Sequence, residues 1–208
     1  MPSLTEMPPT RAEWVDSLLR RAIVHGELQP GEKLVAERLA EQWGVSATPL
    51  RETFQRLAAE GLVVIEPQRG ARVAPVSAEH AAEIYEMRLL LDPVAIEQSV
   101  KAGRDDAGFA DAVLAAHRAM SVGLDAHREF HLVLVSRCPN QRMLAQITQL
   151  LEQSQRYQVL GLVAGKAHAA AADHRELRDA AVAGRASVAA RVLRRHLQGT
   201  LDAVRAQA

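Results

Sequence analysis

The sequence predicts a mainly α-helical protein, with a small β-hairpin in its first third and an all-helical bundle after it. Aromatic residues make up only 3% of the 208 residues, whereas 48% are hydrophobic and 24% are charged, as is typical of helical proteins. Strand-like residues flanked by turn residues occur only at 62–74. From position 77 onward, apolar residues recur at helical spacing.

The first 75 residues predict three helices followed by a hairpin. Turn residues at 26–31 and the helix-stopping Gly44 divide the helical patterns, and Ser46 or Thr48 can cap the third helix. The predicted elements are helices over 11–25, 36–43 and about 47–60, and strands over 62–65 and 71–74. The residues expected to face inward are Trp14, Leu18, Ala22, Ile23, Leu39, Ala40, Trp43, Leu50, Phe54, Leu57 and Ala58.

The pattern changes after Pro75, and the remainder of the chain predicts helices alone. The expected helices span roughly 78–102, 105–122, 125–137, 141–160, 166–183 and 186–206. Consecutive helices with short connections predict a bundle.

Two closely spaced helices followed by a hairpin predict a winged helix-turn-helix, in which the second helix of the pair enters the major groove of DNA. On that helix, spacings of three and four residues place Thr48, Arg51 and Gln55 on one exposed stripe. A guanidinium can bind guanine or phosphate through two hydrogen bonds, and an amide can pair with adenine. These three residues are therefore candidate DNA contacts.

Contacts to the DNA backbone are expected at two further places. Ser46 can offer its hydroxyl and the helix-start N–H groups to phosphate, and Arg69 with Gly70 forms a hairpin tip that can approach DNA closely. The alternative is an ordinary helical surface, because exposed Arg and Gln are common. Residues 1–75 carry nine Lys and Arg against ten Asp and Glu, which argues against tight binding by a single copy.

The first domain also carries residues at many fixed spacings, namely Gly26-x4-Gly31-Glu-x-Leu34, Glu37-Arg-Leu-Ala40, Gly44-Val-Ser46, Thr48-Pro-Leu-Arg-Glu52, Arg56-Leu57, Glu60-Gly-Leu62 and Arg69-Gly70-x2-Val73. Over about 65 residues these closely resemble the GntR family of bacterial transcription regulators. The resemblance implies that DNA is contacted by Arg38, Ser46, Thr48, Arg51, Arg69 and Gly70, with Arg38 near the phosphates. Ala47 and Glu37 stand where many or some members have arginine, which implies fewer direct contacts.

Four histidines of the second domain are placed to converge. His127 and His131 lie four residues apart on the inward stripe of one predicted helix, and His174 and His196 come from the last two helices. Imidazoles that converge in a helical bundle can bind zinc, nickel, copper or iron. The alternative is that each is an ordinary core or surface histidine, since the chain has eight.

The second domain resembles the all-helical effector domain of the FadR branch of the GntR family, through Glu86-x-Arg88 with Asp92, Glu129-Phe-His131, Asn140-x2-Met-Leu144, His174-x2-Leu177 and Arg194-Arg-His-Leu197. In metal-binding members the ligands are an Asp, a His four residues later and two C-terminal histidines. The matching positions here are His127, His131, His174 and His196. His127 stands where the family usually has Asp, so the four ligands would be neutral. The positive charge of a divalent ion, with zinc or nickel expected first, would then not be neutralised by the ligands and would favour an additional anionic ligand.

Arg88 lies on the inward row of its predicted helix, and a buried arginine needs a partner. One candidate is the carboxylate of a small organic acid, which would make Arg88 an effector-binding residue. The other is Asp92, one helical turn away. Both possibilities stay open at this point.

The sequence thus predicts a disordered N-terminus at 1–10, a DNA-binding domain at 11–75 and a ligand-binding and dimerisation domain at 78–208. The expected function is that of a ligand-responsive bacterial transcription regulator. Its expected partners are a double-stranded DNA operator, a small carboxylate effector and a second copy of the chain, because a two-fold dimer engages two half-sites.

A metal-dependent enzyme that uses the four histidines is the alternative function. It leaves the first 75 residues unexplained, and no carboxylate stands at a fitting spacing to act as base. The single cysteine, Cys138, excludes an internal disulfide, and the sequence has neither an export signal nor 18 successive apolar residues. A cytoplasmic location without a membrane partner is therefore expected.

Overall fold

The computed structural model describes residues 10–160 and 167–206, which form two compact units, Met1–Val76 and Ser77–Ala208. The first unit contains α1 (Arg11–Val24), β1 (Lys33–Leu34), α2 (Ala36–Trp43), α3 (Ala47–Ala59), β2 (Val63–Glu66) and β3 (Gly70–Val73). The second contains α4 (Ala78–Ala102), α5 (Ala107–Ala119), a 3₁₀ turn (Met120–Val122), α6 (Leu124–Val135), α7 (Gln141–Val159), α8 (Ala167–Val182) and α9 (Ala186–Arg205). The predicted fold class is confirmed.

The first helix begins at Arg11, as predicted, and the residue before it, Thr10, is its N-cap. Thr10 accepts a hydrogen bond from the Glu13 backbone N–H, and the Glu13 side chain accepts one from the Thr10 backbone N–H, which is a capping box. Thr10 is thus the N-cap of α1, although it lies at the end of the segment predicted to be disordered. The rest of that prediction, residues 1–9, lies outside the described part of the chain.

The inward face of α1 differs from the predicted one in its first half. The predicted inward residues Ala22 and Ile23 are buried. Val15 and Leu19 are fully buried, whereas Trp14 and Leu18 are only half-buried. Both pairs have the same spacing of four residues, but their stripes differ by one residue, or about 100° around the helix. Sequence spacing gave the period correctly and could not choose between the two neighbouring stripes.

The sheet has three antiparallel strands in the order β1, β3, β2. The predicted hairpin is present, with Val63 opposite Val73 and Glu66 opposite Gly70. The short strand β1 was not predicted, because two residues carry no alternating pattern. It is held to β3 by backbone hydrogen bonds from the Gly31 N–H to the Val73 carbonyl and from the Val73 N–H to the Glu32 carbonyl, at 3.0 and 2.9 Å.

In the second unit, α4 lies against α6, α7 and α9 and carries Arg88. The predicted helix bounds agree with the observed ones to within two or three residues, apart from Lys166, which lies outside the described residues. The largest difference is at α5, which ends at Ala119, where the 3₁₀ turn Met120–Val122 follows; it begins at Ala107 because Asp106 caps the helix by accepting from the Phe109 N–H. Within 10–160 and 167–206, no helix has the length and hydropathy needed to cross a membrane.

Candidate functional site

The first unit presents an exposed face on α3. Gly44 ends α2 in the left-handed conformation, with φ +65°, which turns the chain sharply into α3. On α3, Thr48, Arg51 and Gln55 are all exposed, while Leu50 and Leu57 on the opposite side are completely buried. The amphipathic pattern of α3 therefore fixes the predicted polar stripe on the surface.

A groove runs between this face and the hairpin turn. It is lined, among others, by Glu37, Arg51, Gln55, Gln68, Arg69 and Gly70. The structure therefore brings four of the predicted DNA contacts together, namely Arg51, Gln55, Arg69 and Gly70. The other three, Arg38, Ser46 and Thr48, are exposed but do not line the groove.

Three arginines of this region are paired with carboxylates. Arg38 lies 3.0 Å from Glu32 and Arg72 lies 3.4 Å from Glu66, and Arg51 pairs with Glu37. Such exposed ion pairs contribute little to stability, but they cancel the local positive charge. In the sequence, Glu37 belongs to the motif Glu37-Arg-Leu-Ala40 and stands where some family members have arginine, but nothing there marks it as a partner of Arg51. Its contact with Arg51 joins two helices and has no local sequence signal.

In the second unit, the four predicted histidines converge. One ring nitrogen of each of His127, His131, His174 and His196 lies within 4.8 Å of the others. The Nε2 atoms of His127 and His174 are 3.2 Å apart. Two nitrogens bound to a tetrahedral zinc ion at about 2.0–2.1 Å are separated by about 3.3 Å, so this distance fits a shared metal ion.

The four imidazoles come from three helices. His127 and His131 lie on α6, His174 on α8 and His196 on α9. The rings of His131 and His196 are stacked at 5.5 Å between centroids, and those of His174 and His196 are 4.6 Å apart. Close contact between several imidazoles requires that they remain largely uncharged, unless an anion or a metal lies between them.

Burial keeps these imidazoles neutral. It lowers the pKa of His127 to about 4 and those of His174 and His196 to about 3, and it holds the pKa of His131 well below its usual value. The positive charges of Arg88 and of neighbouring histidines act in the same direction. Neutral imidazole is the form that binds metal ions, so all four groups are ready as ligands at neutral pH.

A carboxylate that sequence spacing did not identify stands behind this cluster. Asp173 Oδ2 lies 3.6 Å from His196 Nδ1, and Asp173 is itself bound by Arg195 at 2.5 Å. A carboxylate on the outer nitrogen of a histidine orients the ring and leaves its other nitrogen available. Asp173 precedes His174 in the sequence, and its role became visible only when α8 and α9 were placed side by side.

Arg88 is buried at 3% exposure and pairs with Asp92, with 3.0 Å between Nε and Oδ2. Its Nη1 donates to Ser154 Oγ at 3.1 Å, and its guanidinium lies over the Tyr85 ring at 5.5 Å. Of the two partners open at the sequence level, Asp92 is thus present in this structure. Burial raises the pKa of Asp92, while the charge of Arg88 opposes this shift.

Several buried polar atoms of this pair and its surroundings lack a hydrogen-bond partner within the described residues. Arg88 Nη2 lies 2.9 Å from Asp92 Oδ2, but within the described residues neither Nη2 nor Asp92 Oδ1 makes a hydrogen bond. The same holds for Gln155 Oε1 on α7. Buried polar atoms are almost always satisfied in native proteins. These atoms could therefore donate further hydrogen bonds to a bound polar molecule or accept them from it.

The donor set fits a divalent transition metal ion. Four neutral imidazoles from a rigid bundle suit zinc, nickel or copper and provide no charge to neutralise it. The carboxylate of Asp173 lies 3.6 Å from Nδ1 of His196 and is paired with Arg195. The residues present could therefore hold the metal and leave its charge to attract an anion.

Comparisons with known proteins agree with both units. Residues 11–73 match the profile of the gntR family of bacterial regulatory proteins, and residues 83–199 match that of the FCD domain. The HTH-type transcriptional regulator BphR of Paraburkholderia xenovorans is 30% identical over 204 residues, which cover 90% of this chain and 82% of BphR. The HTH-type transcriptional repressor GlaR of Escherichia coli is 28% identical over 156 residues, which cover 69% of this chain and 70% of GlaR.

Solved structures show the same fold. A GntR transcriptional regulator from Rhodococcus sp. RHA1 superposes with a TM-score of 0.78 at 24% identity, over 95% of this chain and 99% of that one.

Proposed function

Because this chain belongs to the gntR family of bacterial regulatory proteins and carries an FCD domain, it is a transcription regulator and not an enzyme, and we propose that it responds to a small organic acid bound beside a metal ion. The observation that carries this proposal is the convergence of four histidine ring nitrogens within 4.8 Å of one another. We assign it to the FadR branch of the family. Residues 11–75 bind DNA, and residues 78–208 bind the effector and dimerise.

DNA binding is proposed for the exposed face of α3 and the hairpin tip. Arg51 and Gln55 contact base edges from α3, and Arg69 and Gly70 contact the backbone or minor groove. Ser46, Thr48 and Arg38 contact phosphates. The exposure of all these residues and the groove that four of them line support this assignment.

Replacing Arg51 with alanine should weaken binding to a duplex selected by the wild-type protein about 10- to 100-fold, because one double hydrogen bond to guanine is lost. Its side chain is 63% exposed, so the thermal unfolding temperature should not change. Binding is measured by fluorescence anisotropy, with Arg21→Ala on α1 as the matched control. Equal affinities of the Arg51→Ala variant and the wild-type protein would exclude Arg51 from the DNA interface.

FCD domains often bind metal ions, and here His127, His131, His174 and His196 are proposed as the ligands. Zinc and nickel are the proposed ions, since both accept several imidazoles. The metal supplies a positive charge that binds an anion. With four neutral ligands that charge is not reduced, so a carboxylate is favoured over a neutral effector.

Arg88 is the proposed second anchor for the effector. Its Nη2 donor is buried without a hydrogen bond, and a carboxylate accepts well from such a donor. A carboxylate between Arg88 and the metal would therefore meet two positive groups. Effector binding then changes DNA affinity to the extent that the acid prefers one of two states of the protein.

Regulators of this family bind DNA operators and are typically dimers. We assign the dimer contact to an exposed apolar stripe on α4, formed by Met87, Leu90 and Val94, which are 45%, 66% and 41% exposed. Residues three and four apart lie on one face of a helix. In a two-fold dimer the same surface of both subunits forms the contact, so an apolar stripe on that surface packs against the same stripe of the second copy.

The full-length Leu90→Glu variant should therefore be monomeric at micromolar concentration, because the symmetric contact would bury two carboxylates side by side. Sedimentation equilibrium measures the change against the wild-type dimer. The matched control is Val122→Glu, because Val122 is an apolar residue with 84% exposure outside the stripe. If the Leu90→Glu protein is dimeric, the dimer contact lies elsewhere. If the wild-type protein is monomeric, the proposed dimer does not exist.

A further inference from the structure

Glu37 occupies the part of the groove that faces DNA in the proposed function. It lies in the first turn of α2, and its side chain is 64% exposed. It lines the groove together with Gln55 and Arg69, and its carboxylate accepts a hydrogen bond from Arg51 Nη2. Arg51 and Glu37 therefore reach the same place in the groove from two different helices.

The charges around Glu37 limit how much positive charge is free to attract DNA. Arg38 and Arg72 are also paired with acidic groups, Glu32 and Glu66. Sequence-independent attraction to DNA depends on free positive charges that meet phosphates. Because these arginines carry their own carboxylates, base contacts must provide a larger share of the binding free energy.

Contact with DNA changes the surroundings of Glu37. Exposed ion pairs are weak, so guanine or phosphate can take Arg51 from it. The carboxylate then faces the duplex without its partner, where phosphate repels it. In the major groove, the N4 amino group of cytosine and the N6 amino group of adenine are the donors that a carboxylate can accept from.

We infer, on the basis of the proposed DNA binding by α3, that Glu37 is a specificity-determining residue. Its carboxylate accepts a hydrogen bond from the amino group of a cytosine or adenine that is adjacent to the base contacted by Arg51. A guanine or thymine on that strand presents a carbonyl acceptor there and moves the amino group to the opposite strand, which leaves the carboxylate unpaired. Glu37 thereby lowers the affinity for unrelated DNA.

The experiment selects duplexes from a library of random 20-base-pair sequences with the full-length wild-type protein and with the variants Glu37→Ala, Arg51→Ala and Glu41→Ala. Glu41 is the matched control, because it is exposed on the same helix and does not line the groove. Wild type and Glu41→Ala should enrich the same half-site. Arg51→Ala should lose the preference for a guanine, and Glu37→Ala the preference for cytosine or adenine at the adjacent base pair.

Anisotropy titrations with the selected duplex quantify the effect. Changing this cytosine or adenine to guanine or thymine should weaken wild-type binding about tenfold and Glu37→Ala binding less than twofold. If Glu37→Ala binds all duplexes more tightly but keeps the wild-type preference, Glu37 acts only through its charge and the inference is wrong. An unchanged half-site and unchanged affinity would also overturn it. If wild type enriches no sequence, the DNA-binding proposal itself fails.

Discussion

A variant in which both His131 and His174 are alanine should lose its bound metal ion. The two histidines supply half of the ligand set and come from different helices, so the remaining pair, His127 and His196, cannot enclose the ion. Loss of an outer-shell partner alone weakens metal binding by about 10- to 100-fold, and loss of two direct ligands should exceed this. Zinc or nickel content is measured by elemental analysis after dialysis, together with competition against a chromophoric chelator.

The control for this experiment is the double variant His25→Ala, His80→Ala, whose histidines lie outside the cluster. It should retain one metal ion per chain, as the wild type does. Circular dichroism confirms that both variants are folded. A metal-free wild-type protein, or a cluster variant with the wild-type metal content, would refute the site.

Replacing Arg88 with alanine should lower the free energy of unfolding by about 3–5 kcal/mol, because it leaves the buried carboxylate of Asp92 without its charge partner. Both side chains are only 3% exposed, so water cannot replace the lost interaction. Urea denaturation followed by circular dichroism gives the difference.

The same helix offers a matched control. Lys101 and Glu97 form an ion pair with the same four-residue spacing on α4, but with exposures of 65% and 37%. Lys101→Ala should cost less than about 1 kcal/mol, since exposed pairs of this kind are weak. The double variant Arg88→Met, Asp92→Leu should recover most of the stability, because it removes both buried charges. A loss below about 1 kcal/mol for Arg88→Ala would show that the pair is not desolvated.

The exposure of the proposed DNA contacts was predicted from the sequence, whereas their ion-pair partners were not. Thr48, Arg51 and Gln55 lie on the exposed face because α3 repeats its apolar residues at helical spacing, which is a local property. The pairing of Arg51 with Glu37 depends instead on the angle between α2 and α3. No spacing within either helix determines that angle.

The histidine cluster shows the same division. His127 and His131 share a face of α6 because they are four residues apart. Their approach to His174 and His196 requires α8 and α9 to pack against the same side of the bundle. The spacing therefore predicted candidates, and only the packed helices provided the 3.2 Å distance between His127 and His174.

The sequence by itself determined the order of the elements, most helix ends and the polar faces, because these depend on residues within one or two turns of each other. The tertiary structure alone decided which stripe of α1 is buried, that β1 joins the sheet, and that Arg88 donates to Ser154. These outcomes depend on contacts between residues distant in sequence. Such contacts are selected by the packing of whole elements, which no local pattern encodes.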